Sequence, residues 1–304
     1  VERHRWRQAI PKLLCIYPIT MLYKISSGLL FLLLFSNCSE HKKTNINTAE
    51  NTVVFATQLP KKINETSGLE YFNGQLITHN DSGDDALLYG FSKTGALLET
   101  YVVEDAENHD WEDIAMDDRY LYISDSGNNF GNRKNLKIII TDPAVGFEKV
   151  GVINFSYALQ DDFNKRKKHP YDAEALMAVN DHLVLFSKNR AALTTELYFL
   201  PKQPGDYQLS AIKSFDAQAL ITGGDYKQAL QLAALVGYRA DGTQYLFILQ
   251  DFDLNGLDQV KMQRIELPLE GKQIEAIKII DAHTFWITSE DEGIGHPMLY
   301  KVKY

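Results

Sequence analysis

"WEDIAMDDRYLYISDSGNNFGNRKNLKIII", residues 111–140, is the stretch on which the fold turns. It reads as a short strand, a tight polar turn, a second strand, a loop of Gly and Asn, and a third, isoleucine-rich strand. Four other stretches line up with it. They are "TSGLEYFNGQLITHNDSGDDALLYGF" from Thr66, "AEALMAVNDHLVLFSKNRAALTTELYFL" from Ala173, "ITGGDYKQALQLAALVGYRADGTQYLFIL" from Ile221 and "IEAIKIIDAHTFWITSEDEGIGHPMLYKV" from Ile274. Self-similarity at a spacing of roughly fifty residues marks a repeat architecture. The first four stretches each run on into a further extended segment: "ALLETYVVE", "VGVINFSYAL", "YQLSAIKSF" and "VKMQRIELP". Four strands per unit is the pattern of a propeller blade.

The fifth repeat supplies three strands up to Tyr304, and "NTVVFATQLP" (51–60) is expected to supply its fourth. A borrowed strand closes the ring and removes a sheet edge. The expected fold is therefore an all-β, five-bladed β-propeller over residues 52–304. A six-bladed ring is the alternative, because the interval between the second and third repeats is longer than the others. Its extra length, "QDDFNKRKKHPY" (160–171), reads as a charged surface loop. A solenoid is disfavoured, since no helix-period segment of ordinary length is present.

Composition agrees with sheet. Hydrophobic residues make up 45% of 304 residues, with 16 Tyr and 15 Phe, enough for a sizeable core with β-favouring side chains. Net charge is −9, but residues 1–37 carry five basic residues against Glu2, which leaves −13 on residues 38–304. Nucleic acid, which needs a basic footprint, is excluded as a partner, and cations are favoured. Both cysteines, Cys15 and Cys38, precede the repeats, so disulfides, thiol catalysis and cysteine-built zinc sites are not expected there.

"MLYKISSGLLFLLLFSNCSE" (21–40) has a charged start, an apolar stretch too short to span a bilayer and a small-polar end. It reads as a signal peptide over 21–37, with 1–20 an upstream extension from a misplaced start and 38–51 a flexible tether. Its cysteine resembles a bacterial lipoprotein signal, which implies lipidation at Cys38, membrane attachment through that anchor and an outer-membrane, cell-envelope location. Asn37 departs from the usual Gly or Ala, and an ordinary secretion signal with Cys38 incidental is the other reading.

In a propeller the first residues of each innermost strand converge on the axis. Alignment of the repeats puts Ser67, Glu112, Glu174, Thr222 and Glu275 there, with Asp225 the fourth-blade alternative. Carboxylates crowded in a half-buried funnel repel one another unless a cation sits among them. An all-oxygen set without His or Cys suits a hard cation, Ca²⁺ foremost. The same residues could equally accept hydrogen bonds from neighbouring blades around an ordered water.

The loops between second and third strands crown that funnel: 79–86, 124–135, 187–193, 237–244 and 289–297. Their glycines, including Gly83, Gly127 and Gly131, are accounted for by turn geometry. Arg133, Lys188, Arg190, Arg239 and His296, beside Asp81, Asp125 and Asp291, are the candidate ligand-binding residues, for a phosphate, a carboxylate or a sugar acid. Trp111 and Trp286 are expected between blades. No G-x-S-x-G, H-E-x-x-H or P-loop pattern is present.

"SGLEYFNGQLITHNDSG", "DWEDIA", "ISDSGNNFGNRKNLKI", "DAEAL", "LITGGDY" and "ITSE" resemble a group of uncharacterised secreted or lipid-anchored propeller proteins of Gram-negative bacteria. That likeness implies fold and location, and no activity. More distantly, the order Ser67, Glu112, Glu174, Thr222, Glu275 is similar to calcium-dependent apyrase, a five-bladed propeller whose axial Ca²⁺ is held by Ser and Glu of successive blades. Thr222 stands where that family has serine, and the likeness stops short of its nucleotide-binding loops. Two functions follow as expectations. One is an anchored module presenting its crown to a small ligand, a glycan or a protein. The other is a calcium-dependent hydrolase of phosphate esters or nucleotides, with Glu112 or Asp125 as general base and Arg133, Lys188 and Arg190 stabilising charge.

Overall fold

The computed structural model describes residues 53–269, 271–291 and 295–304. Cys38, the leader and the tether lie outside the described residues. The chain enters through β1 (Val53–Gln58), and five sheets follow. Blade one is β2 (Thr66–Phe72), β3 (Gln75–Asn80), β4 (Leu87–Phe91) and β5 (Leu97–Val102). Blade two is β6 (Trp111–Met116), β7 (Leu121–Asp125), β8 (Lys137–Asp142) and β9 (Glu148–Tyr157).

Blade three takes β10 (Ala173–Val179), β11 (His182–Ser187) and β12 (Thr195–Pro201), then β13 (Gly205–Leu209) leaves it, and β14 (Lys213–Phe215) completes it. Blade four is β15 (Leu220–Lys227), β16 (Leu232–Tyr238), β17 (Gln244–Leu249) and β18 (Met262–Leu267). Blade five is β19 (Ile274–Asp281), β20 (Thr284–Ser289) and β21 (Met298–Lys303), and β1 pairs antiparallel with β21 as its outer strand. The innermost strands β2, β6, β10, β15 and β19 neighbour one another in a closed circuit, with β19 against β2. The five-bladed ring and its closure by the N-terminal strand are thus as expected.

One strand departs from expectation. "YQLSAIKSF" is not a single outer strand of blade three. Its first residues belong to β13, which pairs parallel with β9 of blade two, and only β14 finishes blade three. β9 is ten residues long and would otherwise present an open edge, which β13 covers.

The core lies between blades. Inner strands are buried on both faces and so read as near-continuous apolar runs, whereas outer strands such as β1 and β5 are largely exposed. In β8, Ile138 and Ile140 pack toward blade three while Ile139 packs toward blade one. Trp111 is fully buried between blades one and two, and Trp286 lies between five and one against Phe55. At roughly 25 cal/mol per Å² of buried apolar surface, these seams are the dominant stabilising contribution.

Candidate functional site

Every innermost strand carries a bulge at the level where the axial residues were expected. Glu112, Glu174, Thr222 and Glu275 are each the extra, unpaired residue in the pairing of β6, β10, β15 and β19 with their neighbours. In β2 the bulge follows Ser67, at Gly68 and Leu69. A bulge breaks the strict alternation of a strand and re-aims one side chain. Here it directs residues of all five blades to one level of the axis.

The five do not act alike. Ser67 Oγ donates to the Glu112 carbonyl at 2.5 Å, and Thr222 Oγ1 to the Ile274 carbonyl at 2.6 Å. Both hydroxyls tie one blade to the next. Glu174 faces Lys188 Nζ at 2.5 Å and Arg190 at 3.3 Å. Glu112 and Glu275 are each 3% exposed, and the Oε1 atom of each has no hydrogen-bond partner. An unpaired buried carboxylate oxygen is costly, so these two atoms, with the likewise unpartnered Asp81 Oδ1, are the ones that need a ligand.

They open on a cavity of about 250 Å³ lined by Glu65, Asp81, Glu112, Asn129, Glu174, Lys188, Arg190, Tyr238, Gln273, Glu275 and Glu290. Six carboxyl groups thus face two cationic side chains. Burial, then the charges of Glu174, Asp81, Asp110 and Asp172, push the Glu112 carboxyl well above the usual range. Burial and Asp110 do the same to Asp81. Glu290 is pushed up to about 10 by burial, Glu275 and Asp81. Burial works against the Lys188 ammonium, but Glu174 and Glu275 outweigh it and hold its pKa well above the ordinary lysine value.

The other expected residues stand apart from the cavity. Asp125 is fully buried and takes Arg133 at 2.7 Å, His109 at 3.3 Å and Lys137 at 3.4 Å, so it anchors a charge cluster behind the crown and is not among the lining residues. Arg133 also donates to the Gly127 carbonyl at 2.7 Å, which turns its guanidinium to its own loop. Arg239 is half-buried and meets Asp241 at 3.6 Å; the preceding Tyr238 lines the cavity in its place. His296 is likewise outside the lining. Asp225 sits at the opposite end of the channel, where Lys278 bridges it, at 2.8 Å, to Glu70, at 2.5 Å.

Asp113 escaped the sequence reading. Its carboxylate accepts from Ile114 N at 2.8 Å, Leu176 N at 2.8 Å and Gly224 N at 3.0 Å, joining blades two, three and four across the axis. A signal for it exists: the residue after each axial position is Gly68, Ala175, Gly223 or Ala276 in the other four repeats, and Asp113 alone is large.

No protein-family model matches the chain, and no curated protein matches it. Among solved structures it is similar to glutaminyl cyclase of Myxococcus xanthus, at 11% identity and a TM-score of 0.49, over 83% of this chain and 94% of that one. It is also similar to the PQQ-bound aldose sugar dehydrogenase of Streptomyces coelicolor, at 13% identity and a TM-score of 0.48, over 83% of this chain and 97% of that one. The WD40 domain of Neurospora crassa Pan2 aligns at 10% identity and a TM-score of 0.40, over 78% and 75%. These likenesses concern the propeller fold alone. They give no support to the likeness with apyrase or with secreted Gram-negative propellers, and at these values they carry no argument about chemistry.

Proposed function

We propose that this chain is an exported, lipid-anchored binding module of the cell envelope whose axial cavity takes a hard cation and, with it, a small polar ligand. One observation carries the reading: Glu112 and Glu275, lining one cavity, each bury a carboxylate oxygen with no partner. The donor set fits Ca²⁺, being all oxygen and without His or Cys among the lining residues. Bound there, Ca²⁺ and the waters it keeps would satisfy those oxygens and offset the burial that raises both carboxyls and, at Glu112, the charges of its acidic neighbours. Lys188, Arg190, Asn129 and Tyr238 then present donors to a carboxylate, a phosphate or sugar hydroxyls. The leader sequence and the resemblance to secreted Gram-negative propellers support the envelope location. Attachment is assigned to Cys38, on the strength of the lipoprotein-like leader "MLYKISSGLLFLLLFSNCSE".

A second reading, a calcium-dependent phosphohydrolase, is favoured by Lys188 and Arg190 lining the same cavity as Glu112. A bound cation there would supply Lewis acidity. With Asp125 and Arg133 turned elsewhere, Glu112 is left as the residue to hold a proton, at its free Oε1. Calcium-titrated thermal melting, run beside a phosphate-release panel, separates the two. Stabilisation without turnover is the result expected of a module. Calcium-dependent turnover that disappears in Glu112→Gln supports the hydrolase, and no stabilisation by any divalent cation overturns both.

A further inference from the structure

Two carboxylate triads meet at Glu112. One is Glu112, Asp172 and Glu174; the other is Asp81, Asp110 and Glu112, and in each the candidate ligand atoms lie within 4.8 Å of one another. The first already contains positive charge. Arg190 reaches Asp172 at 2.9 Å and Glu174 at 3.3 Å, and Lys188 reaches Glu174 at 2.5 Å. In addition, Asp172 accepts from Asn128 N at 2.7 Å. Among the described residues the second triad has less positive charge, a single ion pair with Arg133 at 3.9 Å from Asp110. Here Asp81 Oδ1 and Glu112 Oε1 are both buried without a hydrogen-bond partner, and Glu112 is 3% exposed.

We propose that the cation sits off the propeller axis, between blades one and two, held by Asp81, Asp110 and Glu112, while Lys188 and Arg190 serve as resident counter-charges for Glu174. This deepens the cation-site reading above and rests on it. Three features make the pocket a built one. The Asp81 main chain is fixed by its N–H to the Glu65 carbonyl at 2.9 Å, and its carbonyl accepts from Asn108 Nδ2 at 2.5 Å. Asn108 Oδ1 in turn accepts from Trp111 N at 3.1 Å, one residue before Glu112. Gly127, opposite, donates its N–H to the Asp110 carbonyl at 3.1 Å, and a Cβ on it would overlap both Glu112 Oε1 and the Asp110 carboxylate. Only a glycine leaves that volume free. With Ca–O bonds of about 2.3–2.6 Å, two oxygens on opposite sides of one ion are roughly 5 Å apart, a span the triad meets.

Isothermal titration of the purified chain with CaCl₂ tests the assignment, with far-UV circular dichroism confirming that each variant is folded. Wild type is expected to bind one Ca²⁺. Asp81→Asn and Asp110→Asn are each expected to weaken it at least about tenfold. Gly127→Ala, which removes no carboxylate, is expected to weaken it as well, and Glu174→Gln to leave affinity within about threefold. Binding that survives Asp81→Asn and Asp110→Asn unchanged, or that is lost in Glu174→Gln, overturns the off-axis assignment while leaving a cation in the cavity. Failure of wild type to bind Ca²⁺ overturns the cation-site reading itself.

Discussion

Glu112 and Asp113 are neighbours in sequence and opposites in chemistry. Asp113 is saturated with main-chain donors from three blades, whereas Glu112 Oε1 has none. A carboxylate so engaged is a structural staple, and removing it strands the N–H groups of Leu176 and Gly224 on a dry axis. Asp113→Ala is expected to lower stability by about 3 kcal/mol or more, read as a shift of the urea midpoint at unchanged slope. The axial positions were legible because a repeat superimposes them. The partners were not. Lys188 was legible as a crown cation for a ligand; that the path of its loop also gives it Glu174 as a resident partner was not. Pairing of that kind depends on where two loops meet in space, and no local pattern encodes it. Asp81 was visible only as a loop acid, Glu290 gave no sign of facing the cavity, and Asp110 and Asp172 gave none of flanking Glu112.

At the level of elements, the bulges explain why five short strands of ordinary composition build a site. Gly68 is the sharpest case. It adopts φ +63°, and a Cβ there would meet Ile114 N at 2.6 Å and His79 Nε2 at 2.8 Å. Gly68→Ala combines a left-handed backbone with a clash against the next blade. It is expected to destabilise by about 2 kcal/mol, checked by thermal melting, with Gly83→Ala as a comparison whose Cβ has open space. Strand existence and order within a blade could be read from alternation and turns. The transfer of β13 to blade two could not, because a strand's own period is the same whichever edge it pairs with. Bulges were equally hidden. One extra residue in a strand of six to eight leaves the apolar pattern almost unaltered.

Across the whole molecule, the ring gathers carboxyl groups faster than it supplies cations to them. Glu290 ionises near its ordinary 4.5 in the unfolded chain but only at about 10 in the folded one, and Glu65, Asp81, Glu112, Glu174 and Glu275 are raised in the same direction. The folded state therefore holds protons that the unfolded state releases. This contribution to stability is complete below about pH 4.5 and is lost as pH rises toward about 10. In EDTA the urea midpoint is expected to fall between pH 5 and pH 8, and added Ca²⁺ to recover much of the loss at pH 8. A midpoint independent of pH would mean that the cavity carries no such strain.

The central claim is that the five-bladed ring creates a cavity whose unpaired carboxylates require a cation. An anomalous difference map from a crystal grown in CaCl₂ tests it most directly. The account predicts one peak bounded by Asp81, Asp110 and Glu112, with Lys188 still on Glu174. A cavity holding only water, with Glu112 and Glu275 hydrogen-bonded to it, would contradict the account.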